Sequence, residues 1–100
     1  MTLQMVRFTT SSSNVAEIEK AIESMIAAIQ NAQPQGVRYA VTRLADGVTF
    51  HLFLELADGV ENPLASIPEA RAFQQKLPTW AVEPPAAQPV TVLGSYRLFT

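Results

Sequence analysis

The alternation of apolar and polar positions in the middle of the chain predicts a β-hairpin over residues 36–56, GVRYAVTRLADGVTFHLFLEL. Two apolar, β-branched runs flank Asp46 and Gly47, and Asp-Gly in this setting is a strong hairpin signal because the turn needs a positive φ. A loop of two or four residues places Thr42 opposite His51, whereas a loop of three residues would shift the register.

The two faces of the predicted hairpin differ in polarity. The apolar face holds Val37, Tyr39, Val41, Leu52, Leu54 and Leu56. The half-polar face holds Arg38, Ala40, Thr42, His51, Phe53 and Glu55. The opposed Arg38 and Glu55 stabilise a strand pair by about 0.2–1 kcal/mol, which favours this register. The apolar face requires a cover of helices, and a partner or a ligand would meet the half-polar face.

One strand and one helix are predicted before the hairpin. Residues 3–10 alternate as a strand, and apolar residues then recur at spacings of three and four over residues 15–29, which is typical of an amphipathic helix. Asn14 and Glu17 form a capping-box pattern at the start of this helix. The helix is expected to end near Gln33.

A second helix and a last strand are predicted after the hairpin. Ser66 and Glu69 form another capping-box pattern, and the helix is predicted over residues 67–77, with Pro78 closing it. The last strand is predicted over residues 90–99, VTVLGSYRLF, after a proline-rich connection.

This order of elements predicts the ferredoxin-like α+β fold. Strand, helix, strand, strand, helix and strand give a four-stranded antiparallel sheet with both helices on one face. The length suits a single domain, 1–100, with one core. Only 16% of the residues are charged and 48% are apolar, and the half-polar face includes Ala40 and Phe53. We therefore expect a homodimer in which a second copy covers that face.

Composition narrows the function classes. The net charge of −2 provides no electrostatic footprint for nucleic acid or for an anionic membrane surface. The sequence has no cysteine and one histidine, which gives no disulfide and no recognisable metal site. No apolar run approaches the ~18 residues of a membrane span, and the N-terminal residues lack a signal-peptide pattern. We therefore expect a cytoplasmic protein.

Three segments carry a resemblance to a known family: GVRYAVTRLADGVTFHLFLELADG, IPEARAFQQKL and VTVLGSYRLF. With these segments the chain resembles the dimeric α/β-barrel superfamily, in its antibiotic-biosynthesis-monooxygenase-like branch. The resemblance implies two ferredoxin-like subunits, a cavity between sheet and helices, and cofactor-free oxygenation of phenolic or quinol substrates. The superfamily also includes isomerases, haem-degrading enzymes and uncharacterised proteins. Haem-degrading members use a histidine on a helix and an asparagine in the first strand, and this chain has neither at the matching places.

His51 is the candidate catalytic residue, because histidine accepts and donates protons near neutral pH. Arg7 and Arg97 are candidates to hold an anionic ligand or to steady an enolate. Glu55 is a second candidate base, and Trp80 could stack on a ligand. The ligand-pocket candidates together are Arg7, Thr42, Phe53, Glu55, Trp80 and Arg97.

Each candidate also has a structural alternative. His51 could form a hydrogen bond at a dimer interface, and Glu55 could form a cross-strand ion pair with Arg38. The two arginines could pair across an interface, and Trp80 could cap the core. A cofactor-free monooxygenase of quinol, phenolic or polyketide-like substrates and a non-catalytic ligand-binding or structural homodimer both fit these residues. A closed core between sheet and helices would favour the structural role.

Overall fold

The computed structural model describes residues 1–98, which form a four-stranded antiparallel sheet and two helices. The elements are β1 (Thr2–Thr9), α1 (Val15–Ala32), β2 (Val37–Arg43), β3 (Thr49–Leu56), α2 (Pro68–Trp80) and β4 (Ala86–Val90), with 3-10 turns at Ser12–Asn14 and Pro63–Ser66. The strand order across the sheet is β2-β3-β1-β4, and each neighbouring pair is antiparallel. The predicted ferredoxin-like arrangement is therefore confirmed.

The register of the hairpin is also confirmed. Thr42 lies opposite His51, and Arg38 lies opposite Glu55. Because side chains alternate between the two faces of a strand, this register sorts the hairpin residues as the sequence predicts. The apolar set faces the helices, and the half-polar set lies on the other side of the sheet, which we call the open face.

Residues 45–48 form the loop of the hairpin, because the N–H of Leu44 still donates to the carbonyl of Thr49 at 2.8 Å. The Oδ1 atom of Asp46 accepts hydrogen bonds from the backbone N–H groups of Val48 and Thr49 at 3.0 and 2.9 Å. Its Oδ2 atom accepts from the Thr49 hydroxyl at 2.6 Å. Asp46 thus holds the loop by bonds to its own following residues.

Both helices pack on the apolar face of the sheet. The rings of Phe8 in β1 and Phe50 in β3 stack with centroids 5.2 Å apart, and they share one buried core with Ile18 and Met25 of α1. The second helix contributes Ala70, Phe73, Leu77 and Trp80 to the same core. Burial of each large side chain contributes about 1.5–3 kcal/mol, so this core accounts for the helix stripes seen in the sequence.

The position of the last strand differs from its prediction over residues 90–99. β4 is Ala86–Val90, and residues 91–98 are exposed and outside any strand, while residue 99 lies outside the described part of the chain. The reason is the length of the neighbouring strand. β4 pairs with β1, and Val90 already lies opposite Leu3, so hardly any of β1 remains for residues 91–98 to pair with.

The end of α2 also differs from its prediction. The helix continues through Pro78 to Trp80 and does not end at Leu77. Pro78 lies in the last turn, where it removes one backbone hydrogen bond, and the N–H of Ala81 still donates to the Leu77 carbonyl at 3.1 Å. Within residues 1–98 no helix combines the length and the hydropathy that crossing a bilayer requires.

Neither predicted capping box forms. Asn14 has helical dihedral angles, which prevent its side chain from capping α1, and its Nδ2 atom donates to the Thr10 hydroxyl at 3.3 Å. Ile67 is the residue before α2, and the Ser66 hydroxyl donates to the carbonyl of Pro63 at 2.8 Å. In both places a 3-10 turn precedes the helix and changes the position of the expected cap.

Candidate functional site

A cavity of about 380 Å³ opens between the sheet and α2, and we call it the helix-side cavity. Its interior is apolar, with Met25, Leu52 and Leu64 buried in its wall. Its rim is polar and consists of the exposed side chains Gln4, Asn62, Arg71 and Gln74. Small-molecule sites typically have volumes of about 300–1,000 Å³, so the space between sheet and helices is an open pocket.

Tyr39 of β2 lines the helix-side cavity because strand alternation turns it towards the helices. The Tyr39 phenol is neutral at pH 7 and can donate a hydrogen bond, and burial raises its pKa from 10.0 to about 12, which disfavours the phenolate further. Within residues 1–98 this hydroxyl has no hydrogen-bond partner. An acceptor oxygen on a ligand would complete its hydrogen bonding.

Two residues of α2 define the rim of the helix-side cavity. Arg71 and Gln74 are three residues apart and therefore lie on the same side of the helix. Arg71 has no ion pair with any acidic residue of the described chain, whereas Arg38 and Arg43 each face a glutamate. Beside them, Asn62 accepts a backbone N–H of the following turn at 3.0 Å, which leaves its Nδ2 group as a donor. The rim thus presents donors and one cation.

A second cleft, of about 620 Å³, lies on the open face. Arg7 of β1 and His51 of β3 are directly opposite each other and both line it, together with Glu83 from the connection before β4. The His51 ring stacks on the ring of Phe53 with centroids 6.1 Å apart and an interplanar angle of 22°. This cleft, the open-face cleft, brings a cation, a carboxylate and an imidazole together.

The predicted site residues of the hairpin all lie on the open face. Thr42 is opposite His51, and Glu55 lies 3.8 Å from the guanidinium of Arg38. These residues do not line the helix-side cavity, because they point away from the helices. The catalytic role of His51 and the ligand roles of its neighbours stay predictions.

Trp80 and Arg97 lie away from both cavities. Trp80 is buried at the end of α2, where its ring tilts against Phe73 at 5.6 Å and its indole N–H donates to the carboxylate of Glu17. Arg97 is exposed in the segment after β4, with its guanidinium 5.2 Å from the ring centroid of Tyr96. Neither residue lines the helix-side cavity or the open-face cleft.

The sequence interpretation missed the polar residues of the helix-side cavity: Tyr39, Asn62, Arg71 and Gln74. A hydroxyl on an otherwise aliphatic strand face was the one available signal, since Tyr39 stands between Val37 and Val41. The rim residues come from a turn and from an exposed helix face, where single polar positions carry no sequence signal. In the described residues no group of three or more acidic or histidine side chains is placed to hold a metal ion.

Comparison with known proteins finds likeness in structure but not in sequence. No family model matches the chain, and no curated protein matches it. Among solved structures, a protein provisionally assigned as an antibiotic biosynthesis monooxygenase from Nitrosomonas europaea is 15% identical with a TM-score of 0.71, covering 94% of this chain and 100% of that one. A protein with the same provisional assignment from Deinococcus radiodurans is 13% identical with a TM-score of 0.70, covering all of both chains.

A third similar structure has a named activity. A variant of SnoaB, a cofactor-independent oxygenase from Streptomyces nogalater, is 16% identical with a TM-score of 0.63, covering 97% of each chain. Likeness at these identities concerns the fold. The chain therefore has the ferredoxin-like fold of the antibiotic-biosynthesis-monooxygenase-like proteins, as its sequence segments indicated.

Proposed function

We propose that this protein is a homodimeric, cofactor-independent oxygenase that acts on an electron-rich phenol or quinol, including polyketide-like ones, in the helix-side cavity. The observation that carries the proposal is the Tyr39 hydroxyl, which is neutral and unpaired inside an apolar pocket of the described chain. The shared fold with SnoaB, which is named a cofactor-independent oxygenase, supports the reaction type.

Oxygenation without a cofactor places the electron source in the substrate. An aryl-stabilised CH₂ group, as in an anthrone-like phenol, loses a proton to give a delocalised anion, and this anion passes electrons to O₂. Both C–H bonds of that carbon break, one oxygen atom becomes its carbonyl oxygen, and the other oxygen leaves with the two protons as water. The protein has to bind the aromatic body, exclude water and stabilise the oxygen on which negative charge develops.

The residues of the helix-side cavity suit the stabilising role. Tyr39 donates a hydrogen bond from a half-buried position on the cavity wall, and this bond would strengthen once a bound substrate displaces the water there. His51 lies on the other side of the sheet, so its predicted role as a base would require a substrate in the open-face cleft.

The proposed homodimer is supported by the open face and by the segment after β4. Leu3, Met5, Ala40 and Phe53 make the open face too apolar for a surface that stays in water. In the segment after β4, Leu93 is 97% exposed and other apolar side chains are also uncovered. A second copy stacked on the open face would cover these residues, and sedimentation would give about twice the chain mass of 10.9 kDa. A monomer at micromolar concentration would contradict the dimer.

Oxygen uptake by the pure protein tests the proposed activity. The protein is incubated without added metal or flavin, in the presence of a chelator, with a panel of hydroquinones and anthrone-like phenols. Replacing Tyr39 by Phe removes one oxyanion donor, and we expect turnover to fall by about 100-fold. Tyr96→Phe, which alters an exposed tyrosine outside the cavity, is the matched control.

His51→Ala distinguishes the two cavities. Turnover that survives this change but is lost in Tyr39→Phe places the reaction in the helix-side cavity. The opposite pattern places it in the open-face cleft, with His51 as base, and removes the proposed site. If no compound in the panel causes oxygen uptake, the non-catalytic alternative replaces the proposal, and an open cavity then favours ligand binding over a purely structural role.

A further inference from the structure

We propose that the helix-side cavity selects aromatic ligands that carry a carboxylate at the rim and a neutral oxygen inside. This inference names the substrate class of the proposed function. It rests on the proposed function in one respect, namely that the ligand binds in the helix-side cavity. Its basis is the separate placement of two unpaired groups of the described chain. Tyr39 is inside the pocket and neutral, and Arg71 is at the exposed rim and positively charged.

The charge at the rim is uncompensated. Among the described residues that line the helix-side cavity, Arg71 carries the only charge. Two other cations have an acidic neighbour: Lys76 lies 3.9 Å from Glu17, and Arg43 pairs with Glu19. No such carboxylate lies within ion-pair distance of Arg71 in the described structure. An anionic ligand would supply the missing partner.

The guanidinium favours a carboxylate as the anionic group. Its N–H donors form a planar fork that matches two carboxylate oxygens. The amides of Asn62 and Gln74 also line the rim and offer further donors. Because the rim is open to solvent, the pair stays hydrated, and the gain in affinity is about tenfold and not more.

The interior sets the orientation of the ligand. Met25, Leu52 and Leu64 offer no partner to a charge, so a carboxylate placed among them would lose its hydration without compensation. The neutral Tyr39 hydroxyl suits a phenol, a quinol or a carbonyl oxygen. The charged end of the ligand therefore stays at the rim, and the oxygen that takes part in the chemistry enters first.

Binding of three naphthalene derivatives to the full chain tests this assignment. In 6-hydroxy-2-naphthoate the hydroxyl and the carboxylate stand at opposite ends of a rigid ring pair, 2-naphthol lacks the carboxylate, and 2-naphthoate lacks the hydroxyl. By titration calorimetry we expect 6-hydroxy-2-naphthoate to bind about tenfold more tightly than 2-naphthol. Arg71→Gln should remove this preference and leave the affinity for 2-naphthol unchanged.

Two further variants make the test specific. Arg71→Lys keeps the charge without the planar fork and should retain part of the preference. Arg38→Gln removes the same charge from the open face and should leave the preference intact. Tyr39→Phe should bring the affinities for 6-hydroxy-2-naphthoate and 2-naphthoate together. Equal binding of 6-hydroxy-2-naphthoate to the wild type and to Arg71→Gln, or no binding at all, would overturn the assignment.

Oxygen uptake separates this inference from the proposed function. If the carboxylate preference depends on Arg71 but no hydroxylated ligand consumes oxygen, the binding assignment stands and the oxygenase proposal fails. If neutral anthrone-like phenols are turned over equally well by the wild type and by Arg71→Gln, and carboxylated ones are not favoured, the oxygenase proposal stands and the carboxylate assignment fails.

Discussion

Trp80, the last residue of α2, donates its indole N–H to the carboxylate of Glu17 in the first turn of α1. The indole is buried, so this bond satisfies a donor that would otherwise lose its hydrogen bond to water. It also joins the two helices at one end of the layer that covers the sheet. We expect Glu17→Ala to lower the free energy of unfolding by about 1–2 kcal/mol, and Glu17→Gln, which keeps an acceptor, by less.

Urea unfolding followed by tryptophan fluorescence measures this effect, because Trp80 is the only tryptophan of the chain. Glu23→Ala, an exposed change on the same helix, is the control. Equal stability of Glu17→Ala and Glu23→Ala would show that the indole bond contributes nothing to the docking of the two helices.

Gly36 and Val60 approach so closely that an added Cβ at residue 36 would lie 2.7 Å from the Cγ2 atom of Val60. Gly36 also has a φ of +75°, which strains any other residue. Gly47 has a similar φ of +81°, but nothing lies within 4 Å of a Cβ there. We therefore expect Gly36→Ala to destabilise by about 2–4 kcal/mol and Gly47→Ala by about 1–2 kcal/mol.

Thermal or urea unfolding of both glycine variants measures the difference, and a double variant isolates its steric part. Combining Gly36→Ala with Val60→Ala should restore the stability that the steric clash removes. The stability lost to the positive φ should remain lost. A double variant no more stable than Gly36→Ala alone would show that the close approach to Val60 is not the cause.

The hairpin could be predicted from the sequence because its signals are local. Asp46-Gly47 marks the turn, and the alternation of residues on both sides of it favours the register that keeps Arg38, Thr42, His51 and Glu55 together on one face. The last strand could not be placed from its own residues. Its apolar alternation is typical of a strand, but strand formation needs a partner, and β1 begins at Thr2, next to the Leu3 that pairs with Val90.

The candidate site was hard to predict because its residues are unremarkable in sequence. Tyr39 belongs to the apolar face by alternation and is naturally assigned to the core, whereas the open space beside it depends on how α2 is spaced from the sheet. Arg71 stands on an exposed helix face, where arginine is common. His51 is the only histidine of the sequence, but strand alternation places it in the open-face cleft and not in the helix-side cavity.

Asp46 makes the stability of the loop depend on pH in the acid range. The hydrogen bond from the Thr49 hydroxyl, and then those from backbone N–H groups, lower the pKa of the Asp46 carboxyl from its usual 3.8. The folded state therefore holds this proton less tightly than the unfolded state. The stabilisation is complete above about pH 3.8 and is lost as the pH falls through the lower pKa of the folded state.

Asp46→Asn removes the acidic group and should make the loss of stability below about pH 4 shallower than in the wild type. Unfolding by urea at a series of pH values measures the slope, and Glu23→Gln is the control for the removal of an exposed carboxylate. Identical slopes for the wild type and Asp46→Asn would exclude the loop bonds as a source of acid sensitivity.

Tyr39 makes stability depend on pH in the opposite range. Its pKa is raised by burial from 10.0 to about 12, so the folded state keeps a proton that the unfolded state releases above about pH 10. Stability should therefore be unaffected below that pH and fall as the pH rises towards 12, by about 2–3 kcal/mol in all. Tyr39→Phe has no proton to lose and should remove this part of the alkaline decline.

Urea unfolding of wild type and Tyr39→Phe at about pH 9 and about pH 11 gives the comparison, with Tyr96→Phe as control for an exposed tyrosine. Ultraviolet titration of the two tyrosines tests whether Tyr39 is responsible. The phenol that ionises at the higher pH in the wild type should be absent from Tyr39→Phe. A ligand that hydrogen-bonds the Tyr39 hydroxyl as an acceptor should delay this ionisation further, because it stabilises the protonated form. An ionisation of Tyr39 near 10 would mean that burial does not desolvate the phenol, and the proposed stabilisation of an oxyanion by Tyr39 would lose its basis.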